Sequence, residues 1–205
     1  MKKTIISLTF DDGWKSAIKQ ACPLLERYGF CATFNIISER LDETYMEYMD
    51  ANDLRIITAR GHELGVHTRS HKHLPELTDE EAWHEISQGL EDLRTLGYEP
   101  RTFSYPFGEW NSSVMNQVRD AGFIAARSVD RGINDEKTNP LLLSAQPVRE
   151  EHSVEQITSL IADVMNTGGW LIFYFHQIEP SAVLQERKWI YGSTPETLEA
   201  ILAFS

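Results

Sequence analysis

The sequence predicts an α/β fold in which crossover helices wrap a parallel sheet. Two observations predict it. Short apolar runs alternate with helix-patterned segments along the chain, and strand-then-helix repetition brings successive strands into parallel register through a crossover. The residues best suited to chemistry, Asp11, Asp12, His67, Tyr105 and His176, fall at or just past the C-terminal ends of strand candidates. Barrels and open α/β sheets both place their sites there.

The elements follow in order. Thr4–Phe10 is an apolar strand that stops at Asp11-Asp12-Gly13. Residues 14–28 read as a helix and 31–37 as a strand. Residues 51–60 are helical, and Glu63–Val66 is a short strand running into a polar loop or turn. Residues 79–96 carry strong helix signals: Thr78 as N-cap, Glu81 at the capping-box position and Gly97 as the stop. A strand at 102–105 precedes a helix at 111–121, which Gly122 ends. Residues 123–127 read as a strand. Residues 130–147 are poorly patterned and are expected to form one long loop over the site. The helix Val154–Thr167 ends at Gly168-Gly169, a strand follows at 170–175, and 195–203 is the last helix. The 205 residues fit one domain, 1–205, with no internal repeat, low-complexity run or linker.

A formal net charge of −12 argues against nucleic acid, whose phosphates are bound by clustered Lys and Arg, and against anionic membrane surfaces. No window approaches the length of a membrane span. Met1-Lys2-Lys3 resembles the start of a signal peptide, but the apolar run after it is short and ends in two aspartates, so it is not a secretory segment. The expectation is a cytoplasmic protein, or an extracellular or cell-envelope one if a leader has been removed. Cys22, in a helix, and Cys31, opening a strand, read as buried small apolar residues.

Two clusters carry chemistry. Adjacent carboxylates held at a strand end resist joint ionisation unless a cation or another partner absorbs one charge. One would then bind a metal and the other take a proton; taken alone, Asp11-Asp12-Gly13 reads first as a solvated turn. The second cluster, Gly61 to His73, holds four of the seven histidines. Imidazole suits zinc, iron, nickel and cobalt. With Asp12, two of these histidines make a three-ligand set that leaves coordination positions open for water and substrate.

Thr9-Phe10-Asp11-Asp12-Gly13 followed by His67-Thr68-Arg69-Ser70-His71 resembles the first two motifs of the polysaccharide deacetylase family, the NodB-homology domains of carbohydrate esterase family four. Phe103-Ser104-Tyr105-Pro106-Phe107-Gly108 resembles the third motif in an F-x-Y-P-x-G variant. Ile172-Phe173-Tyr174-Phe175-His176 resembles the fifth, so the likeness runs from Thr9 to His176. The resemblance implies an irregular (β/α) barrel with fewer than eight regular strands. It implies Asp12, His67 and His71 as ligands of one divalent metal ion, zinc before cobalt, nickel or iron. Asp11 matches the base that takes a proton from the activated water, and His176 the acid that protonates the departing amine. Tyr105, Pro106, Phe107, Gly108 and Tyr174 would form the oxyanion and substrate pocket, with the Phe107 N–H as oxyanion donor.

Two departures stand out. Ser104 occupies the place of an arginine that pairs with the base, and Arg127, at a later strand end, is the candidate replacement. The fourth motif, whose aspartate orients the acid histidine, matches poorly at Ser128-Val129-Asp130, and Asp130 is its candidate. His62 is expected to be structural and His73 a secondary ligand candidate. Trp14, Trp170 and Trp189 are assigned to the core, and Trp110 to stacking on a sugar face. The implied function is a metal-dependent hydrolase removing N-acetyl, before O-acetyl, groups from an acetylated carbohydrate. The alternatives are hydrolysis of a cyclic amide or ureide, or a non-catalytic carbohydrate-binding module on the same fold.

Overall fold

A computed structural model describes residues 3–41 and 46–204; Met1 and Lys2 of the N-terminal segment discussed above lie outside the described residues. Its strands are β1 (Thr4–Phe10), β2 (Thr33–Ile36), β3 (Glu63–Val66), β4 (Thr102–Ser104), β5 (Ala125–Arg127), β6 (Gln146–Pro147) and β7 (Gly169–Phe175). The helices are α1 (Cys22–Tyr28), α2 (Ala51–Ala59), α3 (Asp79–Thr95), α4 (Ser112–Asp120), α5 (Val154–Thr167), α6 (Ser181–Arg187) and α7 (Pro195–Phe204). All strand pairs are parallel, in the order β5-β4-β3-β2-β1-β7-β6.

The sheet curls until its two ends meet one short segment. Leu143 bridges Arg127 of β5, and three residues on, Gln146 pairs with Phe173 of β7. The result is an irregular, barrel-like α/β fold with seven strands among the described residues.

Strand alternation sorts the side chains. Leu8, Phe10, Phe34, Phe103, Phe173 and Phe175 face outward into the core beneath the helices, with Phe10 stacked between Phe34 at 5.0 Å and Phe175 at 5.1 Å. The alternate residues face the barrel interior. Ser7, Thr9, Asn35, Ala125, Arg127 and Ile172 help line a cavity there of about 290 Å³. The same alternation carries Asp11 and His176 inward, just past the ends of β1 and β7.

Helix α3 lies close against the loop after β3. A Cβ at Gly89 would sit 2.7 Å from the Thr68 carbonyl carbon and 2.9 Å from the Arg69 nitrogen. Gly89→Ala is therefore expected to destabilise the fold by roughly 1–3 kcal/mol, although alanine is the better helix former. A thermal midpoint equal to that of the parent would show that the helix can move aside.

Several expectations are corrected. Residues 14–28 are not one α-helix: Ala17–Ala21 is a π-helical turn that hands over to α1. Pro23 has no amide hydrogen, so the turn before it lacks an ordinary α-helical bond at that point. β2 starts at Thr33, and Cys31 is exposed; only Cys22 is buried, its thiol pushed up to about 11 by that burial. Residues 130–147 do not arch over the site. Asn134 pairs with Trp170 at the start of β7, the end remote from His176. Beyond it, Leu143 bridges β5 and Gln146–Pro147 pairs with β7.

Candidate active site

The Asp-Asp-Gly turn after β1 begins with a backbone bond from the Asp11 N–H to the Phe175 carbonyl, 2.8 Å, which ties it to the end of β7. Asp12 and Gly13 then turn sharply with φ of 70° and 74°. Of the five non-glycine residues with left-handed φ among those described, four lie here: Asp12, Thr68, His71 and Phe107. Each such conformation costs ~1–3 kcal/mol, and strain of this kind clusters at functional sites.

Asp12, His67 and His71 converge. The Nε2 atoms of the two histidines are 3.1 Å apart and lie 3.6 and 3.5 Å from Asp12 Oδ1. One ligand atom from each residue falls within 4.8 Å of the others. Asp12 Oδ1 is buried with no hydrogen-bond partner, while Oδ2 accepts from Trp14 Nε1 at 3.0 Å. His67 Nδ1–H donates to the Ser104 carbonyl at 2.7 Å, which turns Nε2 toward the cluster. Burial, together with His67, pushes His71 down to about 4, so its imidazole is neutral at pH 7. An orphaned carboxylate oxygen facing two imidazole nitrogens fits a divalent metal of the zinc type.

Asp11 is 4% exposed and belongs to a different network. Arg127 Nη2 donates to both of its oxygens at 2.5 Å and to Ser104 Oγ at 2.6 Å. Asn35 Nδ2 donates to Asp11 Oδ1 at 2.8 Å. Burial alone would raise the Asp11 carboxyl, but the Arg127 guanidinium, with His67 and His176, holds it far below the carboxylate range. Arg127 thus reaches Asp11 from β5, over a serine on β4. Its guanidinium also lies 4.8 Å from the Tyr174 ring centre.

His176 follows β7, with its ring 5.9 Å from Tyr174 and 5.5 Å from Tyr191. Burial lowers its pKa, against the opposing pull of Asp12 and Asp11. Asp130 is not brought to it: Asp130 is exposed, and its carboxylate accepts from Ser128 Oγ at 3.0 Å within its own loop. The hydroxyl of buried Tyr105 donates to the Leu141 carbonyl, so this side chain serves the core. Gly108 lets the turn approach residue 129, since a Cβ there would lie 2.7 Å from the Val129 nitrogen. Phe107, 47% exposed, stacks on His73 at 3.8 Å and meets His71 edge-on. His73 pairs with Glu109 and stands outside the metal cluster, and Trp110 is exposed beside that pair. His62 is buried and accepts from the Ala32 N–H, a structural role.

Trp14, Asn35 and Ser104 were not singled out from the sequence for the contacts they make here. Trp14 is half-buried and, with Tyr48 and Trp189, forms an aromatic group beside Asp12, which corrects the core assignment of both tryptophans.

Residues 1–126 match the family model described as polysaccharide deacetylase. The chain is 31% identical over 121 residues to a chitooligosaccharide deacetylase of Azorhizobium caulinodans, covering 57% of this chain and 54% of that protein. It is 28% identical over 153 residues to a peptidoglycan-N-acetylglucosamine deacetylase of Bacillus cereus, covering 71% and 54%. The chain spans about half the length of these relatives. Among solved structures, a family 4 carbohydrate esterase from Streptomyces lividans, in complex with acetate, has a similar fold. Its TM-score is 0.68 at 17% identity, over 100% of this chain and 88% of that one.

Proposed function

Because the chain belongs to the polysaccharide deacetylase family, we propose that it is a metal-dependent hydrolase removing N-acetyl, in preference to O-acetyl, groups from a carbohydrate. The observation that carries this reading is the placing of the Asp12-His67-His71 cluster beside a separate Asp11–Arg127 pair. One carboxylate is left for a cation and the other is held ionised by arginine.

Asp12, His67 and His71 would hold the metal, zinc being the first choice. When bound, such an ion polarises a carbonyl oxygen and acidifies water. Asp11, ionised throughout the neutral range, accepts a proton from the attacking water at a carboxylate oxygen. Arg127 and Asn35 fix its orientation. His176, which follows β7 as Asp11 follows the neighbouring β1, gives a proton to the departing amine, a poor leaving group without it. The turn at Tyr105 to Gly108 supplies the Phe107 N–H to the developing oxyanion. Trp14 holds Asp12 so that Oδ1 faces the two histidines. Trp14→Phe keeps the aromatic packing but loses the 3.0 Å bond, and metal affinity is expected to fall ~10-fold, by competition with a chromogenic chelator. Unchanged affinity would reduce Trp14 to packing.

The function is tested by acetate release from a panel of N-acetylated oligosaccharides and nucleotide sugars, with metal-reconstituted and chelated protein side by side. Release that chelation abolishes and metal restores is the expected result. Bound metal without release across the panel would turn attention to cyclic amides. Neither metal nor release would overturn the reading.

A further inference from the structure

Glu85 is a charged residue 2% exposed on α3, and nothing in the reaction described above uses it. A buried carboxylate is costly unless its hydrogen bonds repay the lost hydration. Its partners all come from the loop that carries the two histidines. Ser70 N–H donates to Oε2 at 2.8 Å, Ser70 Oγ donates to Oε1 at 2.6 Å, and Lys72 Nζ lies 3.3 Å from Oε1. One residue earlier, the Arg69 N–H donates to the Glu85 backbone carbonyl at 3.0 Å. Ser70 immediately precedes His71.

The loop needs such a hold. Thr68 and His71 both have left-handed φ, 63° and 64°, without being glycine. The turn has one internal tie, from the His71 N–H to Thr68 Oγ1 at 2.9 Å. On its other side, Ser38 and Glu39 donate to the Thr68 and Arg69 carbonyls. Gly89, one helical turn beyond Glu85, removes the side chain that would push the loop away. His67 is fixed by the end of β3 and by its bond to Ser104, whereas the backbone of His71 is fixed through this loop, its ring meeting Phe107 and His67.

We propose that Glu85 is a positioning residue for the metal site: from α3 it locks the strained turn at Ser70 and so sets His71 against His67 and Asp12. The inference rests on the metal reading above. It concerns the second of the two histidines and not the site as a whole.

The test uses the full chain as Glu85→Gln and Ser70→Ala. The readouts are zinc affinity by chelator competition, the visible spectrum of the cobalt(II)-loaded protein, and the thermal midpoint of the chelated protein. Glu85→Gln is expected to weaken zinc binding ~10–100-fold and to alter the cobalt spectrum, as loss of an outer partner of a ligand does. Ser70→Ala, which keeps the backbone bond, should cost roughly fivefold. A folded Glu85→Gln protein with parental affinity and spectrum would overturn the proposal. Should that variant not fold, parental affinity in Ser70→Ala overturns it instead. If the unaltered protein binds no zinc, the metal reading falls and takes this inference with it; if it binds zinc as tightly as its variants, only this inference falls.

Discussion

Asp11→Asn is expected to lower the rate of deacetylation about 100- to 10,000-fold while leaving metal affinity within a few-fold of the parent. The two halves of this result come from different contacts. The amide cannot take a proton from water at neutral pH, so the base is lost. Asp12, not its neighbour, converges with His67 and His71, so the cluster keeps its three ligand atoms. The substitution is nearly isosteric, and its carbonyl oxygen can still accept from Arg127. Single-turnover acetate release, measured on protein of known metal content, separates the two effects. Retention of the parental rate with metal bound would remove Asp11 from the chemistry.

Arg127→Met should be the most destabilising of the substitutions considered, by about 3–5 kcal/mol, because it strands a buried carboxylate without its cation. The pH dependence of this loss follows from the sign of the Asp11 shift, measured on chelated protein. In the parent, the carboxyl is depressed in the folded state, so its stabilising effect is present above the unfolded pKa of ~3.9 and disappears only as pH falls through the lower folded value. Without the guanidinium, burial, the largest influence on Asp11, outweighs the pull of His67 and His176 and raises the carboxyl above its unfolded value. The variant then suffers its full penalty at neutral pH and recovers as acid protonates Asp11. The gap between parent and variant should therefore be widest near neutrality and narrow in acid. A gap independent of pH would mean that the arginine acts through packing against Tyr174.

Where the chain spells out its structure, the signal is local. The Thr78–Glu81 capping box was legible because both partners lie within one turn, and the box forms. β1, β3 and α5 run within the bounds that apolar patterning and terminal glycines imply. β6 could not be read: it is two residues long and one of them is proline. α6 has no side-chain N-cap and ends at Lys188, in left-handed conformation, where a glycine would have been recognisable. That Asp12, His67 and His71 come together was legible from two compact motifs. The contacts that hold Asp11 and Asp12 were not, because they depend on register between strands distant in sequence. Arg127 could be named only as a strand-end charge. Asn35 offered a weaker clue, a polar residue inside the strand Thr33–Ile36, where burial demands a partner.

The central place of β1 also has a kinetic consequence. Its neighbours are β2, close in sequence, and β7, which arrives near the end of the chain. Thr9 Oγ1 donates to the Phe173 carbonyl across 164 residues, and the Asp11 amide donates to the carbonyl two residues further along β7, at Phe175. Non-local pairings of this kind form slowly, because chain entropy must be lost before they reward it. During refolding, the cluster of Asp12, His67 and His71, with the contacts from Glu85 and Ser104 that set its histidines, can assemble first. The backbone of Asp11 and the ring of His176 find their places only when β7 docks, so recovery of zinc binding should run ahead of recovery of turnover.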